Sequence, residues 1–404
     1  MTSEIDPKNM NRRTFLGVAG ATVAVGATLA ACNKEPEKTA APNAPDAKLP
    51  AKAPEAPAVA TTKKPYEGQT LRVFIYSGAW EKTMRETFVP KFQEKTGATV
   101  VLDPGWWDSI PKLKASPPGQ PAFDLVLTDA TQGYPAIKEG MFQKIDMTRI
   151  PNKTKLAQSV LKNWVHDDGY GIPFPDSAMT LAWNKKLVKT APTGWADLMN
   201  NDVKGKLGVY NSFYMSLYTF AAMKVGLEKK EGTAYQECMT NLPGVVAFAK
   251  ENRARVKYWW PTSSDMAVNL GQQNCAMGNM HSSDMLPALK SNQDLAAIVP
   301  DKDRAFVLLM WVVPTGTKVK PLAEDAIDYL LGEEMQEAFA KNGSTSAVLS
   351  VAKKMAAADP VWGAIYPSTE AQMASVQYYP YEAYFKDWDG IVATWDKEIL
   401  RKKA

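Results

Sequence analysis

Histidine is almost missing from this chain: its 404 residues contain two, His166 and His281. That scarcity removes the His-E-x-x-His pattern of metal sites, and no paired C-x-x-C replaces it. No metal ligand set is expected. A hydrolase built on a nucleophile, a histidine and an acid would have to use one of the two. His166 sits in the polar run His166-Asp167-Asp168-Gly169, a surface turn. His281 precedes Ser282, Ser283 and Asp284, but triads are assembled from distant segments, so this contiguous run reads as a loop. No G-x-S-x-G elbow, P-loop or dinucleotide fingerprint occurs. The chain is therefore expected to be a non-enzyme without a cofactor, a secreted hydrolase using His281 being the alternative. Charge of one sign is equally short. Lys and Arg number 47 against 43 Asp and Glu, a formal +4, with no basic block to draw nucleic acid.

A spanning apolar run is also lacking at the N-terminus, where residues 16–31 form an uncharged stretch of sixteen, short of the ~20 residues of a permanent membrane helix. Its flanks are those of a signal peptide. Arg12-Arg13-Thr14-Phe15-Leu16 before it resembles the twin-arginine export signal, and Leu29-Ala30-Ala31-Cys32 at its end resembles the lipobox of bacterial lipoproteins. Residues 1–31 are thus expected to be removed and Cys32 to carry lipid, which places the protein in the periplasm or at the cell surface. Residues 32–65 are dominated by Ala, Pro and Lys without apolar periodicity, the composition of a tether. Two further cysteines, Cys238 and Cys275, lie in the folded part. In an exported protein such an even pair predicts a disulfide.

Beyond the tether the pattern alternates. Residues 71–76, Leu-Arg-Val-Phe-Ile-Tyr, read as a buried strand. Trp80, Met84, Phe88 and Phe92 then recur at spacing four, one face of a helix that Pro90 kinks or restarts. Residues 99–102 and 124–127 read as further strands, and strand–helix alternation of this kind predicts a parallel α/β sheet. In such sheets ligands lie outside the carboxyl ends of the strands. Ser77, Gly78 and Trp80 after the first strand, and Thr128 and Asp129 after the third, occupy equivalent places there. Asp129 can equally be a helix cap. The stretch 169–186, punctuated by Gly169, Gly171, Pro173 and Pro175, reads as an extended crossover leading into a strand at 178–183. Downstream, strands are expected at 206–210, 256–260, 296–299 and 306–313. Helices are expected at 215–225, 263–270, 323–339 and 391–400.

The order of LRVFIYSGAW, FDLVLTDATQGYPAIKEGMFQKID, GYGIPFPDSAMTLAWNKKLV, PTGWADLMNNDVKGKLGVYNS and MWVVPTGTKVKPLAEDAIDYLL resembles the extracellular solute-binding proteins of ABC importers. Within them it is most similar to the polyamine and iron branch with the type II periplasmic-binding-protein fold. The resemblance implies an α/β protein of two lobes with a ligand cleft between, residues 66–176 and 304–342 forming one lobe and 177–303 and 343–404 the other. It implies a monomer whose partners are a small solute and permease subunits, with membrane contact through the lipid alone. The implied ligand residues are Ser77, Gly78, Trp80, Thr128 and Asp129 from the first lobe and Phe174, Asp176 and Ser177 from the crossover. Asn211, Trp259, His281 and Asp284 answer from the second lobe.

The chain departs from the branch in two places. Polyamine binders carry Trp-x-Asp where Val307 and Leu309 stand here. Ferric relatives use an adjacent tyrosine pair, and the one such pair, Tyr378-Tyr379, falls near the C-terminus, away from the expected cleft. Trp80, Trp107, Phe174, Trp259 and Trp311 beside Asp129, Asp176 and Asp284 favour a polyamine-like organic cation. A ferric ion or an anionic solute is the alternative within the fold.

Overall fold

Six of the expected strands recur within a residue or two of their expected ends. The computed structural model describes residues 63–228 and 233–401, all within one compact unit, Thr62–Ala404. The export signal, Cys32 and all but the last residues of the tether lie outside the described residues. The strands are β1 Thr70–Tyr76, β2 Thr99–Gly105, β3 Leu125–Asp129, β4 Phe142–Gln143, β5 Gly171–Asn184 and β6 Leu207–Tyr210. They continue as β7 Val256–Trp260, β8 Met277–His281, β9 Leu295–Ile298, β10 Ala305–Pro314 and β11 Gln377–Tyr378. The main path runs β2-β1-β3-β10-β5-β8-β6-β7. It contains two parallel triplets, β2-β1-β3 and β8-β6-β7. Two long strands join them: β10 lies antiparallel to β3, and β5 lies antiparallel to both β10 and β8. Helices cover both triplets, in keeping with a sheet buried on both faces.

The crossover differs from its expectation. The stretch expected to be an irregular, proline-stiffened passage is the first half of β5, and Pro173 and Pro175 stand opposite Met310 and Leu308 of β10. Proline lacks a donor and suits a strand only where no ladder bond is required. Residues 171–175 have β10 on one flank and no strand on the other, and the two prolines share one phase of the strand. Pro104 is tolerated in β2 for a related reason, since β2 is the edge of the sheet. The helix expected over 323–339 is two, Lys320–Leu330 and Glu333–Lys341. Gly332 between them is extended at φ −66°, ψ 152°, so the chain restarts there.

Pro90 acts as expected. The first helical segment runs Ala79–Thr83, widens to a π turn at Met84–Phe88 and restarts at Val89–Thr96 with proline in its first turn. Phe88 and Phe92 stack at 4.8 Å on the face the spacing had marked. The helix Phe213–Glu228 is buried around most of its circumference, the mark of a core helix.

The expected disulfide is absent. Cys238 and Cys275 are both free and buried. Cys238 sits in the helix Ala234–Asn252 beside the Tyr384 hydroxyl, whereas Cys275 packs against the Gly208 backbone of β6. Burial pushes the first thiol up to about 12 and the second to about 11. Each behaves as a small core side chain instead of a crosslink.

Candidate functional site

The parallel strands all end on one cavity. Tyr76 closes β1, Asp129 closes β3, Tyr210 closes β6, Trp260 closes β7 and His281 closes β8. All five line a hollow of about 620 Å³. Trp106 and Trp107, just past β2, line it as well. Two triplets pointing their carboxyl ends at each other across β5 and β10 make this cleft a consequence of topology.

Three sets of aromatic rings form its walls. Trp106 stacks on Tyr76 at 5.3 Å with 17° between planes. Tyr210 stacks on Trp260 at 4.3 Å and 21°. Trp80 packs edge-on against Phe174 at 5.5 Å and tilted against Phe339 at 4.4 Å. Asn279 holds the second pair, taking the Tyr210 N–H on its side-chain oxygen at 2.9 Å and the Trp260 indole N–H on its carbonyl at 3.1 Å. The turn after β1 needs Gly78, whose φ of 85° and ψ of −127° exclude an L side chain.

Three carboxylates line the cleft, and no lysine or arginine does so among the described residues. Asp129 is a helix cap in fact: its Oδ1 accepts from the Thr131 N–H at 2.7 Å and from the Thr131 hydroxyl, and its Oδ2 accepts from the Tyr76 hydroxyl at 2.9 Å. Burial raises its pKa, and the Thr131 and Tyr76 bonds oppose that rise. Asp176 has no lysine or arginine partner among the described residues. Desolvation lifts it to about 6, with the Asp284 charge adding to the rise and a hydrogen bond from Trp80 opposing it. Asp284 stands in the first turn of the helix Ser282–Ser291, where the helix dipole favours it.

His281 is neutral near pH 7, since desolvation lowers its pKa to about 4 against the pull of Asp284. Its Nε2 lies 3.5 Å from the Tyr214 hydroxyl, and its Nδ1 is buried without a partner. The neighbouring serines are engaged elsewhere. The Ser282 hydroxyl donates to the Tyr366 hydroxyl at 3.0 Å and accepts the Ala178 N–H at 2.8 Å. The Ser177 hydroxyl accepts the Ser283 N–H at 3.1 Å. No serine is bonded to His281 for activation. Among the described residues no group of three His, Cys, Asp or Glu side chains is placed to hold a metal ion.

Eight expected site residues meet in the cleft: Ser77, Gly78, Trp80, Asp129, Asp176, Ser177, His281 and Asp284. Four do not. Thr128 is fully buried, and Phe174 lies beneath Trp80. Asn211 is one residue past the cleft, its N–H bonded to the Trp260 carbonyl and its own carbonyl accepting the Trp395 indole N–H at 2.7 Å. Trp259 points the other way, against Trp395 at 5.6 Å and Phe220 at 6.4 Å, because successive strand residues alternate faces. Trp311 is likewise buried, edge-on to Trp80 at 6.5 Å. The residues missed were Tyr76, Trp106, Tyr210, Tyr214, Trp260 and Tyr381. Tyr76, Tyr210 and Trp260 are last residues of strands and Trp106 follows one directly, so applying the switch-point rule to every strand end would have found these four; Tyr214 and Tyr381 stand on helices. Val307 and Leu309 line the floor. The tyrosine pair is closer than expected: Tyr379 packs on Tyr214 at 5.5 Å and on Tyr381 at 6.1 Å, just behind the wall.

Two α/β halves opening their strand ends onto a shared cleft define a type II periplasmic binding protein. The chain belongs to the bacterial extracellular solute-binding proteins, whose family model matches residues 87–371, more than half its length. It is 25% identical over 279 residues to the spermidine/putrescine-binding periplasmic protein of Escherichia coli K12, covering 66% of this chain and 75% of that one. Among solved structures it is similar to the spermidine/putrescine ABC transporter substrate-binding protein of Streptococcus pneumoniae. There the TM-score is 0.65 and the identity 16%, over 83% of this chain and 100% of the other. An agropinic-acid-bound binding protein of Agrobacterium tumefaciens gives 0.59 and 15%, over 82% and 99%.

Proposed function

We propose that this protein is the solute-capturing component of an ABC importer, held outside the membrane by lipid on Cys32, and that its solute is a small organic ammonium ion. The observation that carries this reading is the sign of the cleft: Asp129, Asp176 and Asp284 line it, and among the described residues no lysine or arginine lines it with them. An ammonium ion supplies the missing charge, and Tyr76, Trp106, Tyr210 and Trp260 offer ring faces on which a desolvated cation gains up to about 2 kcal/mol per contact. The spermidine and putrescine of the relatives' names belong to the same chemical class. An anionic solute would meet three carboxylates. A ferric ion would want an oxygen-rich ligand cluster, and hydrolysis would want a serine bonded to His281.

On this reading residues 66–176 and 304–342 form one lobe, and residues 177–303 and 343–404 the other. They turn about β5 and β10, and closure removes the solute from water and presents a closed face to the permease. The reading is tested by thermal-shift screening of the full chain with spermidine, putrescine, quaternary amines, amino acids, thiamine and ferric ion. Ammonium compounds are expected to raise the melting temperature. Stabilisation confined to anions or to ferric ion would reject the reading.

A further inference from the structure

Resting on that reading of the cleft as an ammonium site, we infer that it is built for a solute with one ammonium group and a neutral polar end, and discriminates against diamines. The three carboxylates are not equivalent. Both oxygens of Asp129 are occupied by the protein, Oδ1 by the Thr131 N–H and hydroxyl and Oδ2 by the Tyr76 hydroxyl. It also faces the positive end of the helix it caps, Ala130–Lys138. Its hydrogen-bonding capacity is taken up within the fold.

Asp176 and Asp284 form the other pole. Each feels the cleft with no lysine or arginine partner among the described residues, and they lie near enough for the Asp284 charge to act on Asp176. An ammonium carries three donors and no acceptor, so two carboxylates and one ring face satisfy a single such group.

The floor running from that pole toward Asp129 is apolar. Val307 and Leu309 of β10 line it, and Leu309 stands opposite Asp129 on one side and Phe174 on the other. The remaining groups there are neutral. Tyr381 is 1% exposed and lines the cavity; the Leu308 N–H approaches its oxygen, and its own O–H meets no acceptor among the described residues. The His281 Nδ1 is likewise buried and unpartnered. Unpaired buried polar atoms are costly, and a ligand hydroxyl or carbonyl satisfies them. A second ammonium placed there would be desolvated with Asp129 alone to receive it, whose oxygens the protein already occupies.

The test is calorimetry on the full chain in detergent with matched pairs of α,ω-diamines and ω-amino alcohols, three to six carbons long. At the length that binds best, the amino alcohol should bind at least tenfold more tightly than its diamine. A smaller margin, or a preference for the diamine, overturns the inference while leaving the ammonium reading intact. If no amine of either series binds folded protein, the ammonium reading falls and this inference with it. Tyr381→Phe removes a hydroxyl whose one hydrogen-bonding neighbour among the described residues is the Leu308 N–H, so the fold should be retained, as an unchanged melting temperature of the empty variant would show. The variant should lose about fivefold or more for the amino alcohol and change little for the plain alkylamine of the same length. Equal losses for both, or no loss for either, would overturn the placement of the neutral end.

Discussion

Replacing Asp176 by asparagine should make the empty protein more stable and the liganded protein weaker. In the folded state burial first, and then the Asp284 charge, lift this carboxyl from the usual 3.8 to about 6. Protonation is therefore easier in the folded chain than in the unfolded one. The cost is absent below about pH 4, grows as pH rises toward 6, and is complete above it, reaching at most about 3 kcal/mol at neutral pH. Asparagine does not titrate and escapes this cost. For a folded part of this size, that stabilisation corresponds to a rise of roughly 4 °C in melting temperature. The gain should be present at pH 8 and vanish at pH 4. Solute binding should move oppositely, because removing one anion from a partly buried charge pair costs about 2 kcal/mol or more, roughly thirtyfold in Kd. Calorimetry and thermal melts on the same preparations read both quantities. A variant less stable than the parent at pH 8, with unchanged affinity, would refute the reasoning about an uncompensated charge.

Four further outcomes are expected. Ammonium affinity should fall about tenfold between pH 7.5 and pH 5, because Asp176, raised to about 6, becomes protonated over that interval; titration calorimetry at both values checks it. Trp260→Phe should weaken binding by about 1 kcal/mol, whereas Trp259→Phe should leave Kd within twofold, since only the first of these tryptophans lines the cleft. A thiol reagent at pH 8 should find neither Cys238 nor Cys275 in native protein and both after denaturation without reductant, as burial holds both thiols protonated. Cys32→Ser should release into the soluble fraction a protein that otherwise stays with membranes, and equal retention of the variant would remove the anchor from the account.

Strand ends decide what could be read from the sequence and what could not. The apolar runs located β1, β3 and β10 because a strand covered on both faces has little choice of composition. The cleft followed from them through the switch-point rule, which brought Ser77, Asp129 and Asp176 together correctly. Errors arose where a single residue mattered. Asn211 in place of Tyr210, and Trp259 in place of Trp260, are slips of one position, and in a strand one position reverses the face. The Pro173 and Pro175 pair misled in another way: proline signals a break only when its missing donor would be required, and the free flank of β5 requires none. The disulfide expectation used parity and compartment alone, which carry no distance. The partnering of Asp129 was legible only as the capping alternative, since the Tyr76 hydroxyl that completes it comes from 53 residues away.

The central claim is that the Asp176–Asp284 pole receives the ammonium group of the solute. It is tested most directly by a crystal structure of the protein with the tightest-binding amine from the screen. The account predicts the ligand nitrogen about 2.7–2.9 Å from carboxylate oxygens of this pair, with a face of Trp80, Trp106 or Trp260 against it. A ligand nitrogen placed among Tyr210, Tyr214 and Tyr381, or a ligand carboxylate at the Asp176–Asp284 pole, would contradict it.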